Sequence, residues 1–196
     1  FRNRVMFPII DIRGNVIAFG GRVLDDSKPK YLNTNDTVVY KKSRNLFAFG
    51  FAKAAGKRKL ILTEGYMDTI AVHAAGFENA VATCGTALTA EQARMMAGIA
   101  DEVIIAYDSD GPGQAATRRA MNILSQAGLT SRVLKMEGAK DQDEYIKKFG
   151  ATRFKMLLDG ADSVTDFELS KLRREADLDT ETGKVKVEKF TAVADV

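Results

Sequence analysis

The chain has 196 residues, 45% hydrophobic and 28% charged, a globular balance that excludes a disordered or fibrous protein. Its single cysteine, Cys84, excludes an internal disulfide and a cysteine-built zinc site, and no apolar run reaches the ~20 residues of a bilayer span. The net charge of +3 is divided: residues 1–60 hold 13 Lys/Arg against 4 Asp/Glu, and residues 61–196 hold 16 against 22. A basic front joined to an acidic back suits a polyanion on one side and metal ions on the other.

The elements expected in chain order begin with short strands. Arg4–Ile10 reads as extended, Asp11–Asn15 as a turn and Val16–Leu24 as the returning strand of a hairpin. Asp25–Pro29 is a loop, Tyr31–Asn35 leads into another, and Ala48–Lys57 reads as a short helix ending near Gly56. From Lys59 the pattern changes to alternating strand and helix. The strands are Leu60–Thr63, Ala80–Cys84, Val103–Tyr107 and Arg132–Met136. The helices run over Met67–Ala75, from a capping box at Thr89–Gln92 to about Ala97, and from Pro112 to Gly128. The strands are apolar runs without period-2 alternation, which argues a parallel sheet covered on both faces. Glu144–Phe149, Thr152–Leu158 and Val164–Ala176 carry helical spacing, with a further helix expected over Lys184–Val196. The expected division is 1–58, 59–143 and 144–196. The start at Phe1, with no Met and no signal peptide, reads as a piece of a longer protein.

Acids follow three of these strands. Glu64 and Asp68 come after the first, Asp108 and Asp110 after the third, and Asp141 and Asp143 after the fourth. Ligands of open α/β sheets sit beyond the carboxyl ends of the strands, so all six acids can meet at one edge. Clustered carboxylates repel one another and become tolerable when cations lie between them. Mg²⁺ takes one or two carboxylates with waters and substrate phosphates. Two such ions about 4 Å apart serve phosphoryl transfer. Taken singly, each acid is better explained as a helix cap or a solvated charge, and Asp68 is placed to cap the helix beginning at Met67. The ordered set of three favours a metal site.

Leu62-Thr63-Glu64-Gly65-Tyr66-Met67-Asp68 followed by Tyr107-Asp108-Ser109-Asp110-Gly111 resembles the Toprim domain shared by primases, topoisomerases and some nucleases. Arg2–Ile9, Phe19–Leu24, Pro29–Asn33, Lys42–Phe47, Ala82–Leu88 and Lys140–Glu144 extend the resemblance to the bacterial DnaG-type primases. The resemblance implies an α/β fold: a Toprim-like parallel sheet flanked by helices, with a mixed basic N-terminal subdomain and a C-terminal helical extension. It also implies a DNA-dependent RNA polymerase that makes short RNA primers on single-stranded DNA with two or more Mg²⁺ or Mn²⁺ ions. Glu64, Asp108 and Asp110 would then be catalytic, and all six acids metal ligands. Arg22, Lys30, Tyr31, Asn33 and Lys42 would contact the nucleotide, and Arg2, Arg4 and Arg44 the DNA. Ribonucleoside triphosphates, a replicative helicase (through a C-terminal domain outside this chain) and guanosine tetra- or pentaphosphate are the implied partners, in the bacterial cytoplasm at the replisome. The family's zinc-binding domain also lies outside the chain. The family usually places a proline between the last two acids, where this chain has Gln142, which leaves the local turn open.

Other residues read as structural: His73 in mid-helix, Cys84 as a small buried hydrophobe, the Met95–Met96 pair as core and Phe47 as packing. Four readings compete with primer synthesis. A topoisomerase fragment needs a tyrosine nucleophile that nothing marks, and a nuclease needs only metal and DNA. A phosphatase would use Asp108-Ser109-Asp110-Gly111 but leaves Glu64 and the basic leader without a role. A non-catalytic binding module leaves the acids without one.

Overall fold

The computed structural model describes residues 1–108, 111–175, 177–178 and 185–186. The first element is a three-stranded antiparallel sheet: β1 (Arg4–Ile10), β2 (Val16–Val23) and β3 (Tyr31–Asn33), in that order. Asp11 closes the β1–β2 turn because its carboxylate accepts the backbone N–H of Arg13 at 2.8 Å and of Asn15 at 2.9 Å. A 3₁₀ turn at Lys42–Arg44, the two-residue strand β4 (Leu46–Phe47) and helix α1 (Phe49–Ala54) lead into the second sheet.

That second sheet is built from β5 (Lys59–Thr63), β6 (Ala80–Thr83), β7 (Glu102–Ala106) and β8 (Thr130–Val133), mutually parallel, with spatial order β4-β6-β5-β7-β8-β9. The two edges, β4 and β9 (Asp162–Ser163), run antiparallel. The expected parallel sheet is therefore present. It reaches beyond residues 59–143 at both ends, because β4 comes from the segment before it and β9 from the segment after it. The fourth strand lies two residues earlier than the apolar run at Arg132–Met136 suggests. Thr130 and Ser131 pair with β7, while Leu134 and Met136 pack in the core beyond the strand.

Helices α2 (Tyr66–Ala74), α3 (Ala90–Ala97), α4 (Gly111–Gln126), α5 (Gln142–Asp159) and α6 (Val164–Glu175) cover the sheet. Alternate strand residues face opposite ways, and two cores result. Leu60, Leu62, Val103 and Ile105 pack with Phe49 of α1, Met96 of α3, Leu124 of α4 and Phe167 of α6. Ile61, Ile104 and Ala106 pack with Val72 of α2 and Phe154 and Leu158 of α5. The capping box expected at Thr89 is formed with Gln92. The two helical stretches read around residue 150 form α5, broken at Gly150. The strand pair β10 (Asp177–Leu178) and β11 (Val185–Lys186) follows α6. Most of the helix expected over Lys184–Val196 lies outside the described residues, and Val185–Lys186 within it is strand.

A third cluster joins the two sheets. Phe7, Ile9 and Ala18 of the antiparallel sheet pack against Tyr40, Phe47, Tyr66 and Cys84. Tyr66 lies at its centre, with ring centroids 4.7 Å from Phe47 and 5.6 Å from Phe7. A Cβ on Gly20 of β2 would overlap the Tyr66 ring, so only glycine lets the strand approach. Cys84 and Met96 are fully buried, and His73 Nε2 lies 2.9 Å from the Ala80 carbonyl, as structural roles require.

Candidate active site

The strand order reverses at β5: the chain moves to β6 on one side and to β7 and β8 on the other. This is the switch point where open α/β sheets bind ligands. Glu64 leaves the end of β5 and Asp108 follows β7. Glu64 Oε1 accepts the Asp108 backbone N–H at 2.9 Å, which ties the two strand ends together across 44 residues of sequence. Asp68 stands in the first turn of α2, where Gly65 occupies the N-cap. Its carboxylate accepts backbone hydrogen bonds from its own residue and from Gly65, so the capping role considered for Asp68 is one that it plays. Burial first, then the charges of Asp141 and Glu64, push its carboxyl up to about 6.

Asp68, Asp108, Asp141 and Asp143 line one cavity of about 740 Å³. Arg22 and Tyr31 of the antiparallel sheet, and Lys30 just before β3, line it as well. The Arg22 Nε–H is buried and, among the described residues, has no acceptor. Its guanidinium lies 5.8 Å from the Tyr31 ring. Burial raises the Tyr31 phenol above its ordinary value. Glu64 lines a separate cavity of about 150 Å³ with Thr86, Tyr107 and Arg119.

Not every expected residue reaches this cavity. Asn33 lies behind it, where Tyr66 Oη donates to its Oδ1 at 2.9 Å, and a Cβ on Gly85, whose φ is +74°, would overlap its amide nitrogen. Lys42 is in the 3₁₀ turn, its N–H donated to Asp36 at 3.0 Å and its carbonyl accepting from Gln92 at 2.9 Å. The Arg4 guanidinium donates to the Pro29 carbonyl at 2.8 Å and to those of Lys30 and Gly21, so it braces the loop that carries Lys30. Arg2 and Arg44 are exposed outside the cavity lining. Asp110 lies outside the described residues.

Other residues of the site were not singled out by sequence. Lys140, Lys147 and Lys148 line the acidic cavity from the α5 side, and Lys147 Nζ lies 2.6 Å from Asp143. The i,i+4 spacing of Asp143 and Lys147 was the available signal. Gln142 is 1% exposed and donates to the Ala106 carbonyl at 2.7 Å. It starts α5 directly after the N-cap Asp141, whose side chain accepts the Glu144 N–H at 2.8 Å. The turn left open by the missing proline is thus a capped helix start.

As a candidate cation site, the cavity offers hard carboxylate oxygens from three strand ends. Among the described residues no three acids or histidines are close enough to form a complete ligand cage. An ion held there would draw on one or two of these carboxylates and complete its shell with waters and phosphates.

Comparisons with known proteins agree with this arrangement. Residues 61–146 match the Toprim-like family, and residues 1–53 match the N-terminal domain of the DNA primase catalytic core. A DNA primase of Clostridium acetobutylicum is 47% identical over 172 residues, covering 87% of this chain and 29% of the relative. One from Haemophilus influenzae is 36% identical over 192 residues, covering 95% and 32%. The chain thus spans about a third of these relatives' length. The E. coli primase catalytic core superposes with a TM-score of 0.82 at 36% identity, over 93% of this chain and 60% of that one. A DnaG primase catalytic domain bound to single-stranded DNA gives 0.82 at 36%, over 93% and 59%. Family matches along the chain, curated relatives and solved folds all lead to one assignment: the chain belongs to the bacterial DnaG-type DNA primases.

Proposed function

We propose that this chain is the catalytic part of a nucleotidyltransferase that joins ribonucleotides into short RNA primers on a single-stranded DNA template. The observation that carries the reading is one cavity lined both by the carboxylates of Asp68, Asp108, Asp141 and Asp143 and by Arg22 and Lys30. Arg22 lines that cavity and its buried Nε–H has no acceptor among the described residues, and a guanidinium is suited to phosphate oxygens. Glu64, Asp68, Asp108, Asp110, Asp141 and Asp143 would hold two or more Mg²⁺ or Mn²⁺ ions. When bound, such ions activate the attacking hydroxyl and neutralise charge on the leaving phosphates.

The chain's own groups do the rest. Glu64 fixes the Asp108 backbone, and Lys30 and Arg22 take the triphosphate of the incoming ribonucleotide. Tyr31 offers a ring to its base, and Asn33 and Lys42 support that wall. Arg2, Arg4 and Arg44 contribute positive charge along the template path. The units 1–58, 59–143 and 144–196 are proposed as basic, catalytic and helical parts. A replicative helicase is the proposed partner of a domain outside this chain. The setting is the cytoplasm; no described helix is long and apolar enough to cross a membrane. Guanosine tetra- and pentaphosphate, whose pyrophosphates need the same cations, would compete with the ribonucleotide.

The test is incubation with single-stranded template, ribonucleotides and Mg²⁺ or Mn²⁺, followed by a gel for short RNA. Template-dependent RNA that vanishes with chelator is expected. Cleavage of labelled DNA in metal alone, with no RNA product, would replace this reading by a nuclease. Inhibition by guanosine tetraphosphate that persists at saturating ribonucleotide would remove it from the shared site.

A further inference from the structure

We propose that Gln142 is a positioning residue that sets the spacing between the Asp108 end of β7 and the Asp141/Asp143 pair, and thereby the affinity of the site for a divalent cation. The inference rests on the metal reading above and adds a residue that touches neither metal nor nucleotide.

Gln142 stands between two of the acids and, unlike them, is absent from the cavity lining. Its side chain turns into the protein, where it is 1% exposed. Its Nε2–H donates to the carbonyl of Ala106 at 2.7 Å. Ala106 is the last residue of β7 and lies two residues before Asp108. The place is one where the sheet stops supplying partners. The β7–β8 ladder ends at Ile105 and Val133, and the Ile105 carbonyl accepts the Leu134 N–H at 2.9 Å as β8 finishes. Gln142 continues the pairing by one residue with a side chain in place of a strand.

The acids on either side are fixed from the α5 side. Asp141 caps the helix through Glu144, and Asp143 is held by Lys147. Helix α5 also packs through Tyr145, Phe154 and Leu158, which share a buried apolar cluster with Ile104, Ala106 and Val72, but such packing fixes no backbone group. At its first turn, the Gln142 amide is the hydrogen bond that joins α5 to the strand carrying Asp108. A donor that orients a ligand-bearing backbone acts on metal affinity without binding the metal. The Gln142 Oε1 is buried without a partner among the described residues. The side chain is thus held in place at a cost in unmet hydrogen bonding, as expected where a position serves the site more than the core.

The test is Mn²⁺ titration of the chain, reading free Mn²⁺ by electron paramagnetic resonance, so that activity plays no part. Gln142→Met keeps the shape and removes the donor. Gln142→Asn keeps the amide but falls short of Ala106. Both should bind Mn²⁺ about tenfold more weakly than the parent. Leu129→Val, a core change just before β8, at the other end of the β7–β8 pair from Ala106, supplies a control for general destabilisation and should stay within about twofold of the parent. Parent-like affinity in Gln142→Met overturns the inference, as does equal weakening in Leu129→Val. Should Gln142→Met fail to fold, Gln142→Asn decides by the same criterion. A parent chain that binds no Mn²⁺ would sink the metal reading itself, and the role of Gln142 with it. A parent that binds while all variants match it would sink only the role of Gln142.

Discussion

Arg22 and Lys30 project from an open antiparallel sheet, one on β2 and the other just before β3, whereas Glu64, Asp108 and Asp141 sit where strands end or a helix begins. The cations are placed by strands with few constraints beyond the Arg4 brace on the Lys30 loop. The acids are placed by bonds that fix backbone: Glu64 to the Asp108 N–H, Asp141 to the Glu144 N–H, Gln142 to the Ala106 carbonyl. The difference suits the ligands proposed above. A phosphate tail is long and charged, and Lys or Arg can follow it through many rotamers. A small hard cation tolerates little error in oxygen position.

Four changes would break or sharpen this contrast. The largest effect belongs to Asp108→Ala. It should abolish Mn²⁺ binding and lower primer synthesis by about a thousandfold, since a catalytic metal contributes several kcal/mol to the transition state. Titration calorimetry with a gel assay checks this, and undiminished Mn²⁺ occupancy would remove Asp108 from the ligand set. Next comes the joint between the regions. Tyr66→Ala should cost about 3–5 kcal/mol by opening a cavity against Phe7 and Phe47. Tyr66→Phe should lose only about 1 kcal/mol with its bond to Asn33. Denaturant melts that rank the two equally would show that the ring is not the joint.

Lys30→Ala should weaken ribonucleotide binding about tenfold with little change in melting temperature. Lys42→Ala should do less, because Lys42 does not line the cavity. Equal effects would move the nucleotide site toward the 3₁₀ turn. Template affinity should also fall steeply with salt as counterions are released. The smallest effect is on stability against pH. The Asp68 carboxyl at about 6, against an ordinary 3.8, means the folded state holds a proton that the unfolded state has lost between those values. Stability therefore falls as pH rises through about 6, and the site is strained at neutral pH when no divalent cation is added. Asp68→Asn should raise the melting temperature by a few degrees at about pH 7.5 in chelator and flatten the acid response. A variant that melts at or below the parent there would return Asp68 to an ordinary surface acid.

The sequence made the parallel sheet readable because Leu60–Thr63 and Val103–Tyr107 are buried on both faces and carry the apolar run that such burial demands. It hid β4 and β9 because two residues have no period to detect. It misplaced β8 because Thr130 and Ser131 are polar yet paired, while the apolar Leu134 and Met136 beyond them serve the core. Asp68, Asp108, Asp141 and Asp143 were legible as neighbours because strand ends in this architecture point to one edge. The lysines of α5 were not, since charge on a helix face ordinarily means solvent. Nor was Gln142 legible as a latch. Nothing local to residues 141–143 announces a partner at residue 106.

The shortness of β4 and β9 bears on how the molecule behaves in a crowded solution. A parallel sheet that ended on β6 and β8 would offer two rows of open backbone groups to any neighbouring chain. Here each margin is closed by a reversed strand of two residues, too brief to template another. The β9 margin also carries charge, because Asp162 is paired with Lys135. The apolar strands that let the sheet assemble are thus kept from adding strands of other molecules, and the chain gains resistance to edge-to-edge aggregation.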